Sequence, residues 1–303
     1  MSSLTRRDLL RVSALAALAV PLAACNSGFS DEPDPLAPLA EQARADADAA
    51  RTVPGDLAQQ VATVRAAHAQ ALQAEVERLN RPKSATGPGT PPSGGIAGLK
   101  QGLAAARTQA EGLVATLPPY RAGLVAAVAA GCAGLQQVSD ELGPGEDPGA
   151  AGATAAPVPA GSVDPLQTAL DAEHAAVWIY SLVNAFLPNN YTAGVNEGTA
   201  EHQDRRAACV RMLAAAGVTP HAAEPAYITP NPVTDATSAK SVVAAAEFDA
   251  TVAWQGVLNR TDDAELRRVA LRAMLGSARR GTRWRQAANL SPTVVALPGI
   301  QPS

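Results

Sequence analysis

The sequence predicts an all-α protein. Hydrophobic residues make up 47% of the chain, most of them Ala, while aromatic residues make up only 3%. Ala is the best helix former, and β-branched runs of the kind that favour strands are missing. Apolar residues recur at three- and four-residue spacing through two long blocks, broken by Pro- and Gly-containing stretches. With few large side chains, the core must come from closely packed Ala-rich helices.

The first element is an export address. Thr5-Arg6-Arg7-Asp8 precedes an apolar stretch over 12–20, and Leu22-Ala23-Ala24-Cys25 follows it. The stretch is too short to span a bilayer, but the charged start, apolar middle and small residues before Cys25 suit a signal peptide over 1–24. The pair Arg6 and Arg7 resembles a twin-arginine signal, and Leu-Ala-Ala-Cys resembles the bacterial lipobox. That resemblance implies a lipid on Cys25, membrane anchoring and an extracytoplasmic location. Removal of 1–24 leaves 21 basic and 27 acidic residues, net −6, which argues against a nucleic-acid partner. With Cys25 lipidated, Cys132 and Cys209 are candidates for a disulfide outside the cytoplasm; the alternative is two buried apolar thiols.

A polar tether occupies 25–35. Helical pattern then fills an N-terminal bundle over 36–142, in segments 36–51, 56–80, 96–117 and 119–142, broken at Val53-Pro54-Gly55, at 82–95 and at Pro118-Pro119. Residues 143–161 have the Pro/Gly/Ala composition of a linker. A second block over 162–290 contains segments 163–187, 193–217, 236–259 and 262–288. The tail, 291–303, is irregular.

Both blocks share one plan: two helices, a long connection, two more helices. The spacing from His68 to Leu79 equals that from His202 to Leu213, with Arg78 and Arg211 just before each Leu, so the N-terminal half reads as a diverged copy or as chance likeness of two amphipathic helices. In the second block the connection over 218–235 can extend to about 60 Å, whereas a 24-residue helix is about 36 Å long. A connection that crosses the whole bundle gives the ferritin-like topology.

Glu173-His174-Ala175-Ala176-Val177, Glu201-His202-Gln203-Asp204-Arg205-Arg206 and Tyr227-Ile228-Thr229-Pro230 together resemble the ferritin-like domain of unknown function found in actinobacterial exported proteins, over about 163–290. Metal-binding ferritin-like bundles project four carboxylates and two His inward, some as Glu-x-x-His. Glu173 lies on the apolar stripe of Leu166, Leu170, Val177 and Tyr180, and Glu247 aligns with Val243, Ala250, Trp254 and Val257. Glu201 adjoins His202, about 100° around the helix, so the two cannot act as Glu-x-x-His. The last segment has no Glu or His after Glu265 but carries seven Arg.

The expectation is therefore a buried ionic cluster of Glu173, His202 and Glu247 with Arg272, matched in level to Glu247, and Arg280 as second candidate. No cofactor is expected. The leading reading is a non-catalytic scaffold or binding module of the cell envelope, with an envelope protein as candidate partner. The alternative is a metal-dependent oxidase or metal-handling protein using iron or manganese at Glu173, Glu201, His202, Asp204 and Glu247. His68 reads as a satisfied core residue and His221 as solvated. The Arg-rich last segment reads as a solvated face paired with Asp262, Asp263 and Glu265, or alternatively as a surface for anionic headgroups.

Overall fold

The computed structural model describes residues 32–79, 94–149 and 156–301; Arg6, Arg7 and Cys25 lie outside these. Among the described residues there are eight α-helices and no strand: α1 Ala37–Thr52, α2 Asp56–Leu79, α3 Gly95–Val114, α4 Pro119–Leu135, α5 Val163–Val183, α6 Thr192–Ala215, α7 Ala236–Leu258 and α8 Ala264–Ala287. Two of the starts carry side-chain caps. Asp235 accepts from the backbone N–H groups of Thr237 and Ser238 at α7, and Asp263 accepts from Leu266 N at α8, which satisfies donors the helix cannot pair itself. α4 ends at Leu135 rather than near 142, because the chain folds back and Leu142 N and Gly143 N both donate to Ser139 O.

Side-chain pairs fix the helix directions. In the second block Tyr180 reaches Glu247 and Glu173 reaches Trp254, so α5 and α7 are antiparallel. Glu173 meets His202 on α6, and Gly198 abuts the Tyr180 ring, so α5 and α6 are antiparallel too. Arg205 reaches Ser277, and Arg283 reaches Glu197, so α6 and α8 are antiparallel. Hence α6 and α7 run parallel, and the connection over 216–235 must return along the full bundle length. The first block repeats this. Asp46 meets Arg65 and Arg44 meets Gln73, making α1 and α2 antiparallel. Arg121 meets Glu75 while Cys132 meets Arg65, making α2 and α4 antiparallel. α3 hairpins onto α4 through 115–118 and therefore runs parallel to α2. The two blocks share one helix order and one set of directions.

They also share a core. One buried cluster draws on all eight helices, from Leu39 and Leu72 through Val125 and Ala129 to Leu170, Leu213, Trp254 and Met274. The hinge of this arrangement is α4, where 14 of 17 residues are buried. Its sequence is apolar all round rather than striped, which is the signature of a helix covered on every side. Ala and Gly let neighbours approach closely: a Cβ on Gly123 would fall 1.9 Å from Asn259 Oδ1, and one on Gly134 would fall 2.9 Å from Thr282 Oγ1.

Two segments are more ordered than their composition suggests. The expected tether reaches into the fold: Asp34 is buried, accepts from Leu36 N at 2.8 Å and pairs with buried Arg121 at 2.6 Å. The first residues of the expected linker are pinned from both blocks, since Glu146 O accepts from Arg107 at 2.7 Å and from Arg279 at 2.5 Å. The tail is irregular but packed. Val294 is buried against the first block, Leu297 and Ile300 lie on the shared core, and Ala296 O accepts from His68 Nε2 at 2.7 Å.

Candidate functional site

Four helices of the second block aim polar side chains at one another in its apolar interior. Glu173 from α5, His202 and Arg205 from α6, Glu247 from α7 and Arg280 from α8 are all buried. Burying a charge costs heavily unless it is paired and hydrogen-bonded, and the pairing here is dense. His202 Nδ1 donates to Glu173 Oε2 at 2.6 Å. Trp254 Nε1 donates to Glu173 Oε1 at 2.6 Å. Glu247 Oε1 accepts from Tyr180 OH at 2.6 Å and from Arg280 Nε at 2.7 Å, while Arg280 Nη2 reaches Oε2 at 3.3 Å. His202 Nε2 lies 3.3 Å from Glu247 Oε1, a charge contact out of hydrogen-bond alignment. Arg205 Nη1 donates to Ser277 Oγ at 2.8 Å and stands 4.0 Å from Glu173 Oε1. Trp284 Nε1 closes the chain by donating to Tyr180 OH at 3.0 Å.

The charges balance. Glu201, at the rim, lies 3.4 Å from Arg205 and 3.8 Å from Arg280. Three carboxylates thus face two guanidinium groups and His202, and the set is neutral when His202 is protonated. Burial alone would push the His202 imidazolium pKa down, but Glu173 and Glu247 outweigh it and hold the pKa above the ordinary value. Burial would likewise raise both carboxyls. His202 and Arg205 hold Glu173 below its usual range, and Arg280 and His202 hold Glu247 well below. Burial and the neighbouring Glu247 charge both raise the Tyr180 phenol, so it serves as a donor to Glu247 and not as a phenolate.

Glu173, His202, Glu247 and Arg280 come together as expected from their stripes. Arg272 does not join them; it is half-exposed and makes its contacts elsewhere. A hairpin symmetric about Arg260 would place Arg272 level with Glu247. In the structure Gly281 lies level with Glu247, where a Cβ would sit 3.3 Å from Glu247 Cβ. The register is therefore centred near Ala264, at the first residue of α8, and not at Arg260. Arg205 and Tyr180 belong to the cluster without having been singled out for it. The signals were present: Tyr180 shares the stripe of Glu173, and Arg205 lies three residues after His202, on the same face. Asp204 is exposed and points away from the interior.

Cys132 and Cys209 are free and buried, so the disulfide is absent. Cys132 faces the first block, where Arg65 Nη1 approaches its sulfur at 3.6 Å. Cys209 packs in the shared core, and burial and then Glu173 push its thiol pKa well up. The first block has its own polar cluster: Arg65 holds Asp46 at 2.7 Å and His68 Nδ1 at 2.9 Å. Burial and then Arg65 lower the His68 pKa to about 3, against the Ala296 carbonyl, so this imidazole is neutral. His221 is exposed beside Asp171 at 3.0 Å.

The Arg residues of α8 serve mostly as structural donors. Besides Arg280, Arg267 donates to Thr261 O, Val114 O and Ala115 O, Arg285 to Pro292 O and Arg283 to Glu197, while Arg268 pairs with Glu265. Of the acids expected to pair with this face, Glu265 does so with Arg268; the other partners named are backbone carbonyls and bundle carboxylates.

The interior does not fit the carboxylate-bridged metal pair of metal-binding ferritin-like bundles. Both oxygens of Glu173 already accept short hydrogen bonds, and Glu247 Oε1 accepts two. The Arg280 guanidinium stands where a cation would have to bind. Among the described residues no group of three His, Cys, Asp or Glu is placed to hold a metal ion.

Residues 165–302 match the family model of a domain of unknown function, DUF4439. The match covers the second block and runs on through the packed tail. A solved structure of a conserved hypothetical protein from Mycobacterium tuberculosis is 29% identical over 47% of this chain and 96% of its own, with a TM-score of 0.42. No curated protein matches the chain.

Proposed function

We propose that the chain is a lipid-anchored, non-catalytic scaffold or binding module of the cell envelope, with a ferritin-like bundle whose interior is locked by ion pairs instead of metals. The observation that carries this reading is the buried fork of Arg280 on Glu247, backed by His202 between the two glutamates. Such clusters fix helix register more surely than they add net stability, which suits a rigid display frame. The location rests on Arg6, Arg7 and Cys25; among the described residues no helix is long and apolar enough to cross a membrane. Two acyl chains anchor stably where one does not, and a lipidated Cys25 would carry that anchor.

Elemental analysis of the purified mature protein tests the interior. Metal well below one per chain is expected, and stoichiometric iron or manganese would overturn the reading in favour of the oxidase or metal-handling alternative. Membrane fractionation tests the anchor: the native chain is expected with membranes and Cys25→Ser in the soluble fraction.

A further inference from the structure

The chain enters the fold at one end of the helices, and that entry is locked. Asp34 is buried and pairs at 2.6 Å with buried Arg121, the third residue of α4. Arg121 Nε also lies 3.1 Å from Glu75, near the end of α2. Glu75 in turn holds Arg78 at 2.8 Å, and the Arg78 guanidinium stands 5.0 Å over the ring of Tyr120. Tyr120 is 48% exposed. It follows the α3–α4 turn, where Ala115, Thr116 and Pro118 are exposed as well, and residues 112–120 carry no charge.

The turn directs its backbone polarity inward. Val114 O and Ala115 O accept from Arg267. Leu113 O accepts from Thr116 N, Thr116 Oγ1 and Leu117 N, and Pro118 O accepts from Arg121 N and Ala122 N. Pro118 and Pro119 have no N–H to satisfy. An uncharged turn whose polar groups are already paired loses little on leaving water.

We infer that this end of the fold docks on a lipid surface, with Tyr120 at headgroup level. The inference rests on the lipid anchor at Cys25. Nine residue steps separate Cys25 from Asp34, and they reach at most about 32 Å. The longest helices have 24 residues and are about 36 Å long. With the opposite end, at Asp56, turned to the membrane, Asp34 would stand beyond that reach. Tyr120 has an apolar ring and a polar tip, which suits the boundary between water and lipid. The Arg78 stem beside it can lie along apolar surface while its head stays wet. One such side chain binds a membrane weakly on its own, but the anchor raises its effective concentration, so a weak contact is enough to set the orientation. Asp34, Glu75, Arg78 and Arg121 cancel in charge, so the contact does not depend on anionic lipid.

Nitroxide accessibility tests this on the lipid-bearing mature chain in phosphatidylcholine vesicles. One label is placed at a time through Thr116→Cys, Asp56→Cys or Ile228→Cys; Cys132 and Cys209 are buried. Thr116 lies on the turn, Asp56 starts α2 at the far end, and Ile228 is fully exposed on the flank, next to the Tyr227–Trp178 contact. On reconstitution, collisions with a water-soluble paramagnetic relaxant are expected to fall severalfold at Thr116 and to stay unchanged at Asp56 and Ile228. Tyr120→Ser, a surface change, should restore them at Thr116 without moving the thermal midpoint. Three outcomes would overturn the inference while a chain that stays on the vesicles keeps the anchoring reading intact: equal collisions at all three sites, protection at Asp56 or Ile228 in place of Thr116, or protection that needs phosphatidylglycerol and is lost in high salt. Native chain recovered in the soluble fraction would overturn the anchoring reading and this inference together.

Discussion

Arg280 and Glu247 form a two-pronged ion pair in the apolar interior, Nε to Oε1 at 2.7 Å and Nη2 to Oε2 at 3.3 Å, with both residues almost wholly shielded from solvent. Tyr180 and His202 crowd the same carboxylate. Four helices therefore meet at one group, and the cost of disturbing it is asymmetric.

Arg280→Ala leaves Glu247 buried with its main counter-charge gone, and breaking such a pair costs about 3–5 kcal/mol. The double variant Arg280→Met, Glu247→Met removes both charges and should recover most of that loss, although Tyr180 OH loses its acceptor. Chemical denaturation of the two variants checks the order. Equal destabilisation of single and double variants would show that the pair matters through packing alone.

Two buried His residues should respond to pH in opposite senses. The His202 pKa is raised in the fold, so its contribution is fully present below the unfolded value of about 6.5 and is lost as pH rises through the folded pKa. The His68 pKa is lowered to about 3. Its unfolded form takes up a proton below about pH 6.5, so stability falls with pH from there down toward 3, by on the order of 4 kcal/mol. Glu173 and Glu247, with lowered pKa values, add loss at the acid end as pH falls through their folded values. Thermal midpoints should peak near neutrality. His202→Asn should flatten the alkaline limb and His68→Asn part of the acid limb. Imidazole NMR should show one ring protonated above its ordinary pKa and one neutral well into acid.

The helices were legible because Pro and Gly punctuate Ala-rich stripes, and seven of the eight start within one residue of expectation; α8 starts two residues late. The inward turn of Glu173 and Glu247 was legible for a related reason: a carboxylate on an apolar stripe must find partners. Which Arg would serve was not. Hairpin register depends on how the non-helical residues 259–263 are laid, and an Arg head reaches more than one helical turn. Nor was the union of the two blocks readable. It depends on α4 being covered on all sides, and an Ala/Gly helix without a stripe does not say by what. The tail escaped for the same reason, since its main polar tie is a backbone carbonyl, which no sequence pattern marks.

Gly131→Ala tests that tie. A Cβ there would lie 2.1 Å from Ala296 O and 2.5 Å from His68 Nε2, and the backbone of the tail would have to lift. Overpacking of this kind costs about 1–3 kcal/mol. The variant should also be cut by protease within the tail, whereas Gly112→Ala, with open space around its Cβ, should not. Limited proteolysis followed by mass spectrometry reads both.

Arg267 is another cross-block tie, and its loss should be felt far from α8. Its side chain donates to Thr261 O at 2.8 Å, Val114 O at 3.0 Å and Ala115 O at 3.1 Å. The last two belong to the end of α3, where helical carbonyls have no partner within the helix. One guanidinium thus caps α3 and fastens the first block to the second. Arg267→Met keeps much of the stem but orphans these carbonyls, and buried acceptors left unmade cost about 1–3 kcal/mol in aggregate even when water relieves some. Arg51→Ala removes an exposed pair with Asp48 and should cost under about 0.5 kcal/mol. Hydrogen exchange separates local from global effects: in Arg267→Met, protection should fall first at the α3–α4 turn, 115–118, while the centre of α5 stays protected. Uniform loss across both blocks would mean that Arg267 holds up the whole fold and not one joint.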